Sequence, residues 1–410
     1  MNTAITLAIC LFLCLSLIIW DQLKKRVPEG NNATELLGHP YSEAGMCLFY
    51  RLLPNLRILG QIGGILFLCI LVYAVCFVAS FTDDTLSISG QGIGLIEDYV
   101  AWSNIVSVAI MLYVLGNVAN AVPHTFESIG KVCNKSAKDE RTGTPLFDKH
   151  IQQVAYTLFS KDKRWLIFDV IVTLALFLIV IFVYWFESMT SPEYTDWTDS
   201  VYPWGHRAGI VLWTFAVCYF GRLAIGYISR LVYAMYRFGK SIGDDNLIIL
   251  QPMNADGAGG FREFGMLALR IDFLLLPIIL NLVVWQIVKP ETQTGFAIAL
   301  VFVIIATPLF FLIPLLGLHS AMKTAKKDHL EIISCEYNRN VAIVNRWITN
   351  NPPVNHESSY EAQKKLDSIV LQHKQASHIT NWPFDTRIVA IITIYVITPV
   401  TSIILSKYPW

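Results

Sequence analysis

The sequence predicts an all-α membrane protein, a polytopic helical bundle with about eight transmembrane helices. Eight apolar stretches recur along the 410 residues, and each is close to the roughly 20 residues that a helix needs to cross a bilayer. Composition agrees with this class, since 54% of the residues are hydrophobic and 15% are charged, whereas soluble domains contain about 25% charged residues. The third observation is that basic residues concentrate in alternate loops.

The predicted spans cover residues 2–20, 58–80, 99–119, 165–186, 208–229, 265–288, 295–318 and 388–406. The hydrocarbon core offers no water to backbone amides, so each span satisfies those groups as a helix. The helical pattern of the fifth span continues into residues 230–240. Because apolar spans recur throughout, we expect residues 1–410 to form a single membrane domain.

Loop charge orients the spans. Lys and Arg number five, eight, four and nine in the segments 21–57, 120–164, 230–264 and 319–387. The other loops contain far fewer: none in 81–98, and one each in 187–207, in 289–294 and in the C-terminal tail. Cytoplasmic loops carry the excess of Lys and Arg, so the basic segments are predicted inside and both termini outside. The first span has its basic cluster after the apolar run, which favours an uncleaved anchor over a signal peptide.

Segment 319–387 is the largest predicted cytoplasmic part. Apolar residues recur at helical spacing in 329–347 and 358–378, and Asn350-Asn-Pro-Pro353 separates the two stretches. They are predicted to form a helical hairpin. Two interpretations stay open, a solvated connector beneath the membrane body and a docking surface for a protein partner. A shorter helix is predicted at 147–158.

Four charged residues fall inside predicted spans: Asp169, Arg222, Arg270 and Asp272. Charges at bilayer depth normally have partners or mark functional sites. All four lie at a similar depth, roughly 6–10 Å from the inner ends of their spans at 1.5 Å per residue. Pairs such as Asp169 with Arg222 or Asp272 with Arg222 are expected. The layer is interpreted either as ionic contacts between helices or as part of a water-filled vestibule, and Pro277 is expected to break the helix beyond Asp272.

A Gly-rich segment immediately precedes the sixth span and contains Asp256, Gly257, Gly259, Gly260 and Arg262. Glycines permit positive φ, and backbone amides near a helix N-terminus can face an anion. A phosphate or lipid headgroup is therefore one predicted ligand of this loop. The alternative is a close-packed turn in which Asp256 accepts backbone N–H groups.

The sequence contains no motif that predicts catalysis, a metal site or a cofactor. Gly90-Gln-Gly92-Ile-Gly94 lacks the βαβ context of a dinucleotide site, and Gly239-Lys240-Ser241 lacks the preceding strand of a phosphate loop. The topology accounts for the basic residues, so nucleic acid is not an expected partner. The expected partners are membrane lipids and a second copy of the chain.

Three C-terminal elements are similar to those of a group of uncharacterised bacterial multi-pass membrane proteins. They are Asp256-Gly-Ala-Gly-Gly260-Phe, Leu318-His319-Ser-Ala321 and Trp382-Pro-Phe-Asp385-Thr-Arg387. The resemblance implies a bacterial inner-membrane location and a shared architecture, and it implies no activity.

These observations leave three functional hypotheses. The first is a non-enzymatic protein, channel-like or signal-relaying, and this hypothesis includes a role in stress or phage response. The second is a proton- or cation-coupled secondary transporter that uses Asp169 and Asp272. The third is a membrane enzyme acting on a lipid-linked substrate with Asp256 and Asp385.

Overall fold

The computed structural model describes residues 2–24, 60–88, 93–139, 143–159, 162–190, 198, 201–249, 258–288, 293–350 and 356–384. Within these residues the chain forms eleven α-helices, one π-helical segment, one 3-10 segment and no β-strand. The predicted all-α class is confirmed for this part of the chain.

The helices are α1 (Asn2–Lys24), α2 (Gly60–Thr82), α3 (Tyr99–Gly130), α4 (Leu146–Phe159), α5 (Lys163–Thr190), α6 (Pro203–Thr214), α7 (Arg222–Asp244), α8 (Arg262–Asp272), α9 (Leu276–Val288), α10 (Gln293–Asn350) and α11 (His356–His378). The π-helical segment Phe215–Gly221 joins α6 to α7 without a break. The 3-10 segment Phe273–Leu275 joins α8 to α9 in the same way.

Six helical stretches of the described chain are long and apolar enough to cross a membrane, which indicates an integral membrane protein. They are Gly63–Thr82, Tyr99–Gly130, Lys163–Phe182, Pro203–Asp244, Arg262–Val284 and Thr307–Asn345, and they overlap the second to seventh predicted spans. The first predicted span lies in α1, whose apolar part is the shorter Ala4–Ile19. The eighth span, 388–406, lies outside the described residues, so the number eight stays a prediction.

Helices α2 and α5 expose rows of apolar side chains, as peripheral helices in a bilayer do. Ile70 and Val78 on α2 and Ile171 and Leu178 on α5 are each more than half exposed. Such large exposed apolar faces mark contact with lipid or protein. These two helices therefore present apolar faces suited to contact with lipid or with another protein.

The largest apolar core lies around α7 and joins it to α3, α4, α8 and α10. At its centre the Phe126 and Phe238 rings meet edge to face with centroids 4.9 Å apart, and Phe264 stacks 6.3 Å from Phe238. The short helix α4 adds Phe147 at 6.1 Å from Phe238. The α4 segment and the membrane-crossing helices thus share one core.

Helices α7 and α10 touch almost backbone to backbone. A Cβ added to Gly317 would lie 2.8 Å from the backbone nitrogen of Lys240, and one added to Gly243 would lie 2.5 Å from Cβ of Ala321. Gly239, which also abuts Leu318, completes a Gly-x-x-x-Gly pattern on α7. Small residues at such spacing let membrane helices approach closely.

Helix α10 differs from the prediction. The seventh span and the helix predicted at 329–347 form one continuous helix, because residues 319–350 contain no Gly or Pro to end it. Pro308 and Pro314 lie inside this helix without ending it. Helix α11 begins at His356, near the predicted 358, and packs on α10 through Leu330, Ile333, Ile369 and Ala376. The cytoplasmic location of this pair stays a prediction.

Two further elements follow the sequence closely. Helix α4 covers the predicted 147–158, and α7 contains the predicted extension 230–240.

At the opposite end of the bundle, acidic side chains bind helix N-termini. Asp98 accepts the backbone N–H groups of Val100 and Ala101 at the start of α3. Asp83 accepts those of Trp204 and Gly205 at the start of α6, so these carboxylates lie where the helix dipole favours negative charge.

Candidate intramembrane ionic site

A buried carboxylate and two buried guanidinium groups meet between α5 and α7. Oδ2 of Asp169 lies 2.8 Å from a terminal nitrogen of Arg230 and 3.6 Å from one of Arg222. Asp169, Arg222 and Arg230 are 1%, 3% and 5% exposed. Opposite charges this close attract strongly when water is excluded. We call these three residues the ionic cluster.

The sequence of α7 explains how both arginines reach one carboxylate. Arg222, Gly226 and Arg230 are four residues apart, so they lie on one face of the helix. Gly226 leaves the space that the acid occupies, because a Cβ at this position would be 2.6 Å from Oδ1 of Asp169. The cluster therefore depends on a glycine between two arginines as well as on the charges.

Aromatic rings flank the two guanidinium groups. The guanidinium carbon of Arg230 lies 5.3 Å from the ring centroid of Trp165, and that of Arg222 lies 5.7 Å from the centroid of Tyr219. The electron-rich face of an aromatic ring attracts a cation, most strongly where solvent is excluded. The aromatic groups thus help the bundle to hold two buried positive charges beside one negative charge.

The π-helical segment ends at the residue before Arg222. A π-helical turn widens the hydrogen-bond ladder by one residue, and such turns occur often at functional sites. Because of this extra residue, the segment Phe215–Gly221 changes the rotation of α7 relative to α6. It thereby changes the direction in which the helix face with Arg222 and Arg230 points.

The structure brings together only part of the predicted charged layer. It forms the first of the two expected pairs, Asp169 with Arg222. Arg230, which the topology assigned to an inner loop, is the nearer partner of Asp169. The signal for it was present, since a helix continuing from 222 places residue 230 two turns further on the same face. Arg270 is half-buried, and within the described chain Asp272 forms no ion pair.

Asp272 is a separate buried acid at the end of α8. It is 1% exposed, and its Oδ1 has no hydrogen-bond partner among the described residues. The helix break that was predicted at Pro277 begins immediately after Asp272. Pro277 lacks an N–H and clashes with the carbonyl four residues earlier, that of Phe273. The chain accordingly tightens to a 3-10 turn in which the Leu276 N–H donates to that carbonyl.

The Gly-rich loop has the predicted backbone at its described end. Gly259 and Gly260 adopt φ of 65° and 97°, which side chains disfavour. Arg262 is exposed and begins α8. Asp256 and Gly257 lie outside the described residues, as do Asp385 and Arg387. Anion binding by the loop stays a prediction.

Two of the three C-terminal elements named in the sequence analysis, at 318–321 and 382–387, are in contact through their described residues. A Cβ on Gly265, four residues into α8, would collide with the carbonyl oxygen of Pro383. The His319 ring stacks on Trp382 with centroids 3.9 Å apart, and its Nδ1 donates to the carbonyl of Asn381 over 2.8 Å. The chain before the predicted eighth span is thereby held against both α8 and α10.

Two further observations bear on function. Among the described residues, no three His, Cys, Asp or Glu side chains are grouped so that they could hold a metal ion. Comparisons of the chain with protein-family models, curated proteins and solved structures found no match.

Proposed function

We propose that this integral membrane protein acts without covalent chemistry, as a relay between its membrane bundle and the helix pair α10–α11. The observation that carries the proposal is the length and continuity of α10. Its 58 residues correspond to about 87 Å at 1.5 Å per residue, far beyond the roughly 30 Å of a bilayer core. A single helix thus connects the apolar bundle to a long projecting segment.

Helix α7 supplies the mechanical link. It carries Arg222 and Arg230 of the ionic cluster in its first half and the small residues Gly239 and Gly243 in its second half. The second half touches α10 at Gly317 and Ala321. Packed interiors pass on small displacements because they have low compressibility. A change at the ionic cluster that shifts α7 is therefore expected to move α10 and, with it, α11.

The test measures the distance between the helix pair and the membrane body. Spin labels at Tyr156→Cys on α4 and Val370→Cys on α11 use two exposed positions, in a background with Cys335→Ser and Cys47→Ser. Asp169→Asn removes the central charge and is expected to shift or broaden the distance distribution. Asp328→Asn, at an exposed site on α10, is the matched control.

Gly226→Ala provides a second perturbation of the same cluster without removing a charge. If both cluster variants remain folded and leave the label distance unchanged, the bundle does not act on the helix pair and the relay is wrong. A shift that appears equally in Asp328→Asn would contradict it as well.

A specific observation favours a second function, proton-coupled transport. Asp272 is a buried acid without an ion-pair partner in the described chain, and it lies beside a helix break at Pro277. Intramembrane acids and interrupted helices are typical of proton-coupled transporters. Reconstituted vesicles with an imposed pH gradient should then show proton flux that Asp272→Asn abolishes and Asp328→Asn retains. Flux equal to that of empty vesicles would exclude this candidate.

A further inference from the structure

An exposed apolar stripe on α5 has a basic residue at one end. Arg164, Ile167, Ile171, Leu174 and Leu178 follow one another at intervals of three or four residues, so they lie on one face of the helix. The four apolar side chains are 41–65% exposed, and Arg164 is exposed as well. The stripe from 167 to 178 is about 16 Å long at 1.5 Å per residue, close to one leaflet of a bilayer core about 30 Å thick.

Helix α7 brings a further basic residue to this end of α5. Asp169 of α5 meets Gly226 of α7, where an added Cβ would lie 2.6 Å from Oδ1 of the acid. Trp165, one turn nearer the start of α5, meets Tyr233 with ring centroids 6.0 Å apart, so the two helices are antiparallel. Arg237 follows Tyr233 by four residues on the same helix face, and its guanidinium carbon lies 5.9 Å from that ring centroid. Arg237 therefore lies near the first residues of α5.

Lys163, Arg164 and Arg237 are exposed, and we call these three residues the basic surface. None of them forms an ion pair with another residue that the structure describes. The adjacent acid, Asp162, accepts the backbone N–H of Arg164 at 3.0 Å. Like charges that lie close together repel one another, so an anion bound among the three cations would lower the energy of the basic surface.

The aromatic pair Trp165 and Tyr233 lies between the basic surface and the apolar stripe. Trp and Tyr are enriched where the hydrocarbon of a bilayer meets the headgroups. The order of cations, aromatic rings and apolar stripe therefore matches the order of phosphate, glycerol backbone and acyl chain in a phospholipid. The ammonium group of a zwitterionic headgroup would meet three like charges, whereas basic clusters at this level bind anionic headgroups. We propose that one anionic phospholipid binds here, with its phosphate among the residues of the basic surface and one acyl chain along 167–178.

The experiment compares two lipids that have the same acyl chains and a different headgroup charge. Purified protein is incubated with dioleoyl phosphatidylglycerol or dioleoyl phosphatidylcholine, and retained lipid is counted by native mass spectrometry. Phosphatidylglycerol should be retained at least about fivefold better, the effect of one basic residue near an anionic surface. Arg164→Gln/Arg237→Gln should bring this ratio close to one. Lys131→Gln/Lys138→Gln removes two exposed charges of another predicted inner segment, so it is the matched control and should keep the ratio.

A photoreactive lipid locates the bound molecule on the wild-type protein. Phosphatidylglycerol with a diazirine in one acyl chain should cross-link to the peptide that contains Ile171 and Leu174, and the phosphatidylcholine analogue should do so much less. A cross-link confined to other helices would overturn the proposal, as would a headgroup preference that Arg164→Gln/Arg237→Gln leaves unchanged. Displacement of the lipid by inorganic phosphate would mean a site for free anions, and a dimer lost in the double variant would mean a second copy of the chain. Either result would overturn the proposal as well.

Discussion

Asp169 depends on Arg230 more than on Arg222, because Arg230 is 0.8 Å nearer (2.8 Å against 3.6 Å). Arg230→Met should therefore weaken the compensation of a carboxylate that is 1% exposed. Removing the partner of a buried charge costs about 3–5 kcal/mol when the remaining charge is left uncompensated. Because Arg222 stays 3.6 Å from Asp169 in Arg230→Met, thermal unfolding in detergent micelles should show a loss smaller than this.

The double variant Asp169→Asn/Arg230→Met tests the coupling. It should be more stable than the sum of the two single losses predicts, because the charges are removed together. Arg237→Met is the matched control, since Arg237 lies on the same helix at an exposed position. Additive losses for Asp169 and Arg230 would mean that the two groups do not interact.

Gly226 provides a second prediction at the residue scale. In Gly226→Ala the new Cβ would lie 2.6 Å from Oδ1 of Asp169, so the carboxylate or α7 must shift. Overpacking of this kind costs about 1–3 kcal/mol. In Gly64→Ala the new Cβ meets no atom within 4 Å, and removing a helical glycine should stabilise the protein by about 0.5–1 kcal/mol. Thermal unfolding should therefore show a lower stability for Gly226→Ala and a higher stability for Gly64→Ala than for the wild type. A change of stability in the same direction for both variants would contradict the close approach at Gly226.

The residue scale also shows what the sequence could predict. The intramembrane charges and the positive φ of Gly259 and Gly260 followed from residue type alone, because burial of charge and backbone sterics are local rules. The identity of the partners did not follow. Arg222, Arg270 and Asp272 share a depth, but the rotation of each helix decides which groups meet, and the π-helical turn before Arg222 alters that rotation.

At the scale of elements, the contact between α7 and α10 decides whether the bundle can act on the helix pair. Gly317→Val would place a branched side chain against the Tyr236 carbonyl and the Lys240 nitrogen, both of which are backbone atoms. Backbone cannot rotate away as a side chain can, so the helices must separate. We expect a loss of at least about 1–3 kcal/mol in thermal unfolding and faster proteolysis of α11.

Gly64→Val is the matched control for that separation, since this glycine lies in α2 with open space around it. It should unfold like the wild type apart from the small helix-propensity change. If Gly317→Val behaved like Gly64→Val, α7 and α10 would not be in backbone contact.

Element boundaries were the more predictable part of the fold. Apolar length and Pro or Gly positions located the helical stretches that overlap the second to seventh spans, and Pro277 located a change of helix type. The continuity of α10 was not predicted, because the change from apolar to charged residues near 318 looks like a span end. Hydropathy marks where a helix leaves the bilayer, whereas only Gly, Pro or a cap marks where it stops.

At the scale of the whole molecule, the basic segments predict that the α10–α11 pair lies on the inner side. Cys335 tests this, because it is exposed on α10. Burial raises the pKa of the Cys133 thiol to about 12, so this cysteine holds little reactive thiolate near neutral pH. With Cys47→Ser in place, the background at predicted inner positions should therefore be low.

A membrane-impermeant maleimide should label Cys335 in inverted membrane vesicles and leave it unlabelled in right-side-out vesicles. Cys335→Ser is the control for labelling elsewhere in the chain. Reporter fusions after Lys138 should report inside and those after Asp98 outside, since these positions lie at opposite ends of α3. Labelling of Cys335 only in right-side-out vesicles would mean that the protein has the opposite orientation in the membrane. One continuous helix joins Cys335 to the seventh predicted span, so the basic loops would then face outward. That orientation would contradict the positive-inside rule.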